Sequence, residues 1–338
     1  MKRLLSTITV IGLALLGATT GSASEMVTVD NFVRAETDMT LDRYVKQGAF
    51  GKFLHFREPV PIDKQDVIRM QRDTLYSIGV FDLTTPVTIV KPETDGRFLS
   101  MQVINQDHSM LPVKHSAGHF SFTEKNIGTR YVFILFRTFV DANDPADIKA
   151  ANAVQDQIVA KQQNPGTFEI PDWDEGSLHT IRDAINVLAA TRASATGMFG
   201  HKAKLDPISH MLGTAFGWGG NPKEAAVYEN VYPEKNDGKT PYTLTITEKA
   251  PVDGFVSVTV YNAKGFMQKN EQNAYSVNNV TATKNSDGSV TIHFGGDPAK
   301  SNYLPITPGW NYIVRLYQPK QEIVDGFWTF PKPQPSKK

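Results

Sequence analysis

The run Arg72-Asp73-Thr74-Leu75-Tyr76, which leads into a predicted strand, is the stretch whose residue types best suit ligand chemistry. A guanidinium can hold a carboxylate or a phosphate through its planar, bidentate fork, and the Tyr76 phenol could add one donor. The same residues could instead form a structural ion pair at the strand entry, because polar groups at strand ends commonly satisfy the backbone. The run therefore predicts either an anion-binding site or a structural ion pair.

Three further arginines, Arg130, Arg137 and Arg315, lie in or beside apolar strand patterns. An arginine in such a pattern points either into a cleft between sheets or outward, with its stem along the apolar surface. The sequence alone leaves both alternatives open. The predicted ligand-binding residues are Arg72, Asp73, Tyr76, Arg130 and Arg315.

A short stretch contains three histidines, His108, His115 and His119. If a loop folded His108 and Asp107 toward the other two, the imidazoles could hold a divalent metal such as zinc, which could assist hydrolysis. His108 is the first to test, because Asp107 could orient its ring. The alternative is that all three are solvent-exposed loop histidines without a metal.

The composition excludes several classes of site. The chain has no cysteine, so disulfides, Cys-ligated zinc, iron–sulfur clusters and thiol catalysis are excluded. It contains no Gly-x-Ser-x-Gly elbow, no His-Glu-x-x-His motif and no Walker A loop. The 35 Lys and Arg residues balance the 35 Asp and Glu residues, which argues against a nucleic-acid partner.

The first 24 residues have the pattern of a secretory signal peptide. Lys2 and Arg3 give a positive start, an apolar run follows from Leu4 to Leu16, and small residues dominate up to Ser24. The apolar run is well short of the roughly 18–20 residues that span a membrane. The sequence thus predicts cleavage after Ala23 or Ser24 and a periplasmic or secreted protein without a transmembrane anchor.

Elements predicted along the 338 residues suggest two β domains with helices between them. A helix is expected over residues 28–47, and short alternating or apolar runs separated by Gly, Pro and Asp turns predict antiparallel strands on both sides of a helical middle. The apolar run Tyr131 to Phe139 predicts a buried strand. The expected divisions are a signal peptide (1–24), a β-sandwich domain (25–143), a helical connecting segment (144–220), a second β domain (221–331) and a flexible tail (332–338).

Several motifs resemble a bacterial exported two-domain family. The N-terminal ones are Arg72 to Ser77, Asp95-Gly96-Arg97-Phe98, Gly128 to Tyr131 and Asp144-Pro145-Ala146-Asp147; the C-terminal ones include Asp253-Gly254, Asn302 to Pro305, Arg315 to Pro319 and Asp325 to Trp328. They are similar to the domain of unknown function 1254 followed by the domain of unknown function 1214. The chain departs from the usual motifs at Gln71 and Tyr303, where the family tends to have Asn and Trp.

The resemblance implies a mainly β fold with two antiparallel sandwich domains, the second jelly-roll-like, and it implies little about activity. From the residues we expect an exported protein that binds or processes a small polar or anionic ligand, with metal-assisted hydrolysis as one form of that activity. The alternative is a non-catalytic protein of envelope interaction or assembly. Sandwich domains often form homo-oligomers, which is a further expectation.

Overall fold

The computed structural model describes residues 24–65, 68–192 and 195–336. This part of the chain is mainly β, with fifteen strands in four sheets, as the sequence predicts. The predicted signal peptide lies outside the described residues apart from Ser24. Among the helices of the described ranges, none is long and apolar enough to cross a membrane.

Seven strands form the N-terminal domain: β1 (Phe53–His55), β2 (Thr74–Asp82), β3 (Val87–Lys91), β4 (Leu99–Asn105), β5 (Gly118–Phe122), β6 (Tyr131–Phe139) and β7 (Val159–Gln162). Sheet I has the order β1-β2-β6-β4, and sheet II has the order β5-β3-β7. Apolar side chains such as Phe81, Ile89 and Phe136 pack between the two sheets. Strand β6 is buried along its whole length, which confirms the strand expected from its continuous apolar run.

The helices are α1 (Phe32–Lys46), α2 (Glu124–Ile127), α3 (Pro145–Gln155), α4 (Glu175–Ala189), α5 (Pro207–Gly217) and α6 (Gln321–Val324), with a short 3-10 helix at Lys202–Lys204. Helices α1, α4 and α5 share an apolar core that includes Phe32, Leu178 and Leu212. Leu41 on α1 and Trp218 after α5 pack against the outer face of sheet I. The helical layer therefore covers the N-terminal domain.

Strand β7 is where the middle of the chain departs from the helical segment expected over residues 144–220. Helix α3 begins at Pro145, because the Asp144 side chain accepts the Ala146 N–H at 2.8 Å, but it ends at Gln155. Residues 159–162 then pair with β3 and complete sheet II. This short edge strand is only partly buried, so it carries no apolar period that a sequence pattern could detect.

Eight strands form the C-terminal domain: β8 (Ala226–Val231), β9 (Tyr242–Ile246), β10 (Val256–Tyr261), β11 (Ser276–Asn278), β12 (Val290–Phe294), β13 (Tyr303–Leu304), β14 (Asn311–Tyr317) and β15 (Gln334–Pro335). Sheet III has the order β11-β10-β14-β8, and sheet IV has the order β13-β12-β9-β15. Val258, Phe294 and Trp310 belong to the apolar core between them. The two four-stranded sheets thus form a sandwich.

Strand β15 lies in the segment expected to be a flexible tail. Gln334 and Pro335 pair with Thr243 and Tyr242 on β9, and the Ser336 N–H donates to the Pro241 carbonyl at 2.9 Å. Backbone pairing at a sheet edge needs no apolar side chain, so the composition of the tail does not reveal it.

The outer face of sheet III packs against the N-terminal domain. Side chains alternate along β10 and β14, so Val258 and Val314 enter the sandwich core while their neighbours face the other domain. Phe255 and Tyr317 meet Phe98 and Phe139 there. The interface between the domains is thus built on the β faces that carry the polar side chains considered next.

Candidate functional site

Two buried arginines occupy central strands on the two sides of the domain interface. Arg137 lies on β6 of sheet I and is 6% exposed, and Arg315 lies on β14 of sheet III and is 4% exposed. Neither guanidinium forms an ion pair with a carboxylate of the described residues. Arginine is almost never buried without a partner, so this pair of cations is the most unusual chemical feature of the interface.

Neutral groups hold Arg137 in place. Its Nη1 donates to Gln102 Oε1 at 2.6 Å and to Asn221 Oδ1 at 3.2 Å, and its Nη2 donates to the Gly219 carbonyl at 3.0 Å. The guanidinium also lies over the Tyr76 ring, 5.9 Å from the centroid. These contacts fix the plane of the guanidinium without neutralising its charge.

Arg315 is held in the same manner. It donates to Thr259 Oγ1 at 2.9 Å, to the Arg69 carbonyl at 2.8 Å and to the Tyr261 hydroxyl at 2.6 Å. Burial lowers the pKa of Arg315, but the surrounding tyrosine phenols, first of them Tyr261, raise it more, so the net shift is upward. Arg315 thus stays a cation inside the interface.

Each guanidinium has N–H donors without an acceptor among the described residues. An arginine has five N–H donors, and three hydrogen bonds leave each of these arginines with two N–H groups that have no acceptor among the described residues. An incoming carboxylate or phosphate oxygen could accept them, because such oxygens form short, charge-assisted bonds with guanidinium.

The strand register places the same three residue types across each sheet. In sheet I, Tyr76 of β2 and Ser100 of β4 flank Arg137. In sheet III, the corresponding neighbours of Arg315 are Tyr228 of β8 and Ser257 of β10. Both domains therefore present a Tyr–Arg–Ser row, defined here as the three cross-strand neighbours centred on the arginine.

Two amide side chains connect the rows. Gln71 Nε2 donates to the hydroxyls of Tyr76 at 3.3 Å and Tyr317 at 2.9 Å, and Asn221 Nδ2 donates to the Tyr228 hydroxyl at 2.7 Å. Because Asn221 Oδ1 accepts from Arg137, its amide orientation is fixed and Tyr228 must act as the acceptor. The Tyr228 hydroxyl hydrogen has no acceptor among the described residues, so it remains available to a ligand.

Tyr317 lies at the centre of this arrangement. Burial raises the pKa of its phenol far above the usual range, and the neighbouring Tyr228 phenol adds to the effect, while Arg315 and Arg137 act in the opposite direction. Electrostatic coupling to both arginines means that the two rows meet around Tyr317. We call the set of Arg137, Arg315, Tyr76, Tyr228, Tyr317, Gln71 and Asn221 the interdomain cluster.

Asp73 lies at the edge of the interdomain cluster without forming the expected pair with Arg72. Its Oδ1 accepts from Ser276 Oγ at 3.0 Å and from Asn278 Nδ2 at 3.1 Å, so it joins the domains. Its buried Oδ2 has no partner among the described residues. Arg72 turns away, donating to the Val60 carbonyl at 2.7 Å and lying over the Tyr275 ring.

Arg130 lies at the opposite end of sheet I. It forms a close ion pair with Asp82, with Nη2 and Oδ2 2.9 Å apart, and it also donates to Thr167. Tyr76 and Asp82 are six residues apart on β2, which corresponds to about 20 Å along a strand. Of the predicted ligand-binding residues, the structure brings Tyr76 and Arg315 together with Asp73 nearby, and it leaves Arg130 in a structural ion pair.

The three histidines are not brought together. His108 is fully buried, His115 packs against Phe98 and His119 is exposed on β5. Across the described ranges, no group of three or more His, Cys, Asp or Glu side chains has an arrangement that could hold a metal ion. The sequence misjudged their spacing because the chain after His108 runs alongside β4, where Met110 and Lys114 pair with Ile104 and Met101, and carries His115 and His119 away from His108.

His108 instead positions the backbone beside Arg137. Its Nε2 accepts the Gly219 N–H at 2.9 Å, and its Nδ1 contacts Thr214 Oγ1 at 2.8 Å. Burial, with a smaller contribution from His210, holds the pKa of His108 well below its usual value. A neutral imidazole can accept at Nε2, so His108 fixes the loop whose Gly219 carbonyl binds Arg137.

A cleft of about 550 Å³ opens beside the interdomain cluster. Its walls are the Asp95-Gly96-Arg97-Phe98 turn of the first domain and the Asp253-Gly254-Phe255 turn of the second. Phe255 stacks on Tyr317 with the ring centroids 4.5 Å apart, so the cleft and the cluster share a wall. Two motifs distant in the sequence thus line one opening between the domains.

Sequence reasoning missed most of the interdomain cluster. The sequence leaves Arg137 open between a cleft and the outer face, and it gives no signal for a site at Gln71, Asn221, Tyr228 or Tyr317. Strand spacing tells which face a side chain occupies only when the pairing is known. The one available signal was that strand arginines occur in both β domains without an acidic neighbour in the same strand pattern.

The fold and the site define a two-domain, mainly β protein with a polar cluster between its domains. A family model described as a protein of unknown function (DUF1254) matches residues 50–162, and a second such model (DUF1214) matches residues 228–321. The chain carries both domains in this order, which confirms the resemblance found in its motifs. Arg137 falls in the first match and Arg315 in the second, so the site combines the two.

Two solved structures have a similar fold. The VPA0106 protein from Vibrio parahaemolyticus has a TM-score of 0.70 and 18% sequence identity, covering 91% of this chain and 98% of that chain. An uncharacterised protein from Burkholderia cenocepacia has a TM-score of 0.50 and 13% identity, covering 91% and 87%. No curated protein matches the chain. At these identities the likeness concerns the fold alone.

Proposed function

We propose that this protein binds a small anionic ligand, a carboxylate or a phosphate, between its two domains at Arg137 and Arg315. The observation that supports the proposal is that both guanidinium groups are buried and neither has a carboxylate partner among the described residues. Leaving a buried charge unpaired costs several kcal/mol, so a site of this kind needs an anion to complete it.

Other arginines of the chain provide the contrast that makes this pair specific. Where an arginine is partly buried elsewhere, it generally meets an acid. The ion pairs are Arg97 with Asp147, Arg130 with Asp82, and Arg182 with Glu36. Among the described residues, Arg137 and Arg315 are the two buried arginines, and neither has a carboxylate partner. Arg69 and Arg72 also lack one, but they are partly exposed.

The donors of the cluster suit a ligand with several acceptor oxygens. Each arginine has two N–H donors in reserve, and Tyr228 has a free hydroxyl hydrogen. The cleft is lined by Phe255, whose ring stacks on Tyr317, and we expect such a ligand to enter from there. His108 is buried and occupied by Gly219 and Thr214, so the proposal is one of binding and includes no hydrolytic step.

Thermal unfolding with a panel of anions tests the proposal: inorganic phosphate, acetate, succinate, benzoate and phenyl phosphate, each with a matched sodium chloride control. A ligand at 100 times its dissociation constant stabilises the folded state by about 2.7 kcal/mol, which raises the Tm by several degrees. We expect at least one anion to do so. Arg137→Gln and Arg315→Gln should abolish the rise, and Arg130→Gln should retain it.

Two results would count against anion binding. One is a panel in which no anion moves the Tm beyond the salt control. The other is a rise that Arg137→Gln and Arg315→Gln both preserve. Either would favour the alternative of a non-catalytic interaction or assembly protein, which light scattering of the same samples would examine.

Export is part of the same proposal and is supported by the composition of residues 1–24. The test is N-terminal sequencing of the protein recovered from the periplasm of a Gram-negative host. The expected mature chain begins at Ser24 or Glu25, which corresponds to cleavage after Ala23 or Ser24. Recovery of an uncleaved chain in the cytoplasm alone would contradict it.

A further inference from the structure

A second cavity lies inside the C-terminal sandwich, away from the interdomain cluster. Its volume is about 210 Å³, and it lies between sheets III and IV. Val258 lines it from the core face of β10, whereas the adjacent Thr259 faces the other way and binds Arg315. The cavity is therefore on the opposite face of sheet III from the proposed anion site.

The walls of this cavity are apolar. The main lining side chains are Val256, Val258 and Val277 from sheet III and Ile246, Val290 and Ile292 from sheet IV. The two asparagines at its edge are already occupied: Asn279 Oδ1 accepts from the Val256 N–H, and Asn278 binds Asp73. Water would find few partners inside, and apolar cavities of this size accept apolar ligands.

The rim carries a net positive charge. Lys249 and Lys284 are exposed at the opening, and neither forms an ion pair with the described residues. Glu248 is also at the opening, so the three charged side chains leave a net charge of +1. An apolar interior under a cationic rim is complementary to a molecule with an apolar tail and an anionic head.

We propose that the C-terminal sandwich binds a short single-chain amphiphile with a carboxylate head. The tail lies between the valines of sheet III and the isoleucines of sheet IV, and the head meets Lys249 and Lys284. An engineered cavity of about 150 Å³ accepts benzene, and the same volume per carbon atom gives a tail of about eight carbons here. The inference stands independently of the interdomain site.

Titration calorimetry of the full chain with sodium octanoate tests this assignment, with 1-octanol as the neutral probe. Octanoate should bind wild-type protein, and Val290→Phe, which fills the cavity, should abolish the binding. Val231→Phe is the matched control, because Val231 packs against the same core but does not line the cavity. It should bind octanoate within twofold of wild type.

A double lysine variant tests the head-group assignment separately. Lys249→Gln combined with Lys284→Gln should weaken octanoate about fivefold, in line with two exposed charge pairs, and leave octanol within twofold. No octanoate binding, or binding that Val290→Phe preserves, would overturn the cavity site. Octanoate is itself an anion, so binding lost in Arg315→Gln and retained in Val290→Phe would place it at the interdomain cluster and overturn this proposal.

Discussion

Strand β6 separates two arginines of opposite character, Arg130 just before its first residue and Arg137 near its other end. Arg130 contacts the fully buried carboxylate of Asp82, with Nη2 and Oδ2 2.9 Å apart. Arg137 is the more buried of the two, yet it donates only to amide and carbonyl oxygens. A neutralised arginine thus precedes β6, and an arginine without a carboxylate partner among the described residues lies on it and faces the other domain.

The difference teaches how to separate structural from functional charge in this protein. In a structural ion pair the arginine already has a counter-charge, so removing the arginine lowers the free energy of unfolding. A buried cation without a counter-charge is unfavourable in the folded state, so removing it costs less stability, and an external anion can supply the missing charge. The second Tyr–Arg–Ser row, around Arg315, repeats the Arg137 environment and strengthens this distinction.

The largest expected effect comes from making the same change at both ends of β6. Arg130→Met leaves the buried Asp82 carboxylate without its cation and should lower the free energy of unfolding by about 3–5 kcal/mol. Arg137→Met leaves only neutral acceptors unpaired and should cost about 1–2 kcal/mol. Urea unfolding at pH 7 measures both, and equal losses would remove the distinction between the two arginines.

The cleft beside the cluster offers a pH-dependent test. Burial, with a smaller contribution from Lys91, lowers the pKa of His115 from 6.5 to about 4. Between pH 4 and pH 6.5 the His115 imidazole is therefore protonated in the unfolded chain but neutral in the folded protein. Stability contributed by neutral His115 is present above pH 6.5 and is lost as the pH falls toward 4, by up to about 1.4 kcal/mol per unit.

His115→Gln should flatten this part of the stability profile. His119→Gln is the matched control, since His119 is exposed on the nearby strand β5, and it should keep the wild-type slope. Urea unfolding at half-unit steps from pH 4.5 to 7 gives the comparison. Parallel profiles for the two variants would show that His115 does not set the slope.

The connection between the rows predicts a further effect on ligand affinity. Asn221 accepts from Arg137 and donates to Tyr228, so Asn221→Leu should disconnect the two domains' donors. A hydrogen bond to a charged group contributes about 1.5–3 kcal/mol, and we expect the stabilising anion of the panel to bind at least tenfold more weakly. Calorimetric affinity unchanged from wild type would mean that the rows act separately.

The smallest effect should come from the outer partner of Arg130. Glu169 lies 3.6 Å from Arg130 Nη1 and its side chain is 71% exposed. Exposed pairs contribute little, so Glu169→Gln should change the free energy of unfolding by less than about 0.5 kcal/mol. If Glu169→Gln lowered the free energy of unfolding as much as Arg130→Met does, the stabilising partner of Arg130 would be Glu169 and not Asp82.

Local chemistry made much of the architecture predictable. The Asp144 and Asp206 side chains, each followed by proline, cap α3 and α5, and this pattern is a helix start that can be read from the sequence. The apolar run from Tyr131 to Phe139 forms a buried strand. Strand β7 and the pairing of β15 could not be predicted, because each is a short edge segment stabilised by backbone hydrogen bonds to a distant strand.

The candidate site was predictable only in part. Tyr76 and Arg315 were selected for their residue types, and they do lie in the interdomain cluster. The expected Arg72–Asp73 pair does not form, because Arg72 stacks on Tyr275 while Asp73 binds Ser276 and Asn278. The two residues lie in a bend just before β2, where adjacency in the sequence does not direct both side chains to one site.

The mainly β class, the order of two β domains around a helical middle and the lack of cysteine chemistry all follow from the amino-acid sequence. These properties depend on period, composition and capping residues, which act locally. Only the tertiary structure decided that Arg137 and Arg315 face one interface without a carboxylate partner. That outcome depends on strand register and on how two sheets pack together, and both are set by contacts between residues far apart in the chain.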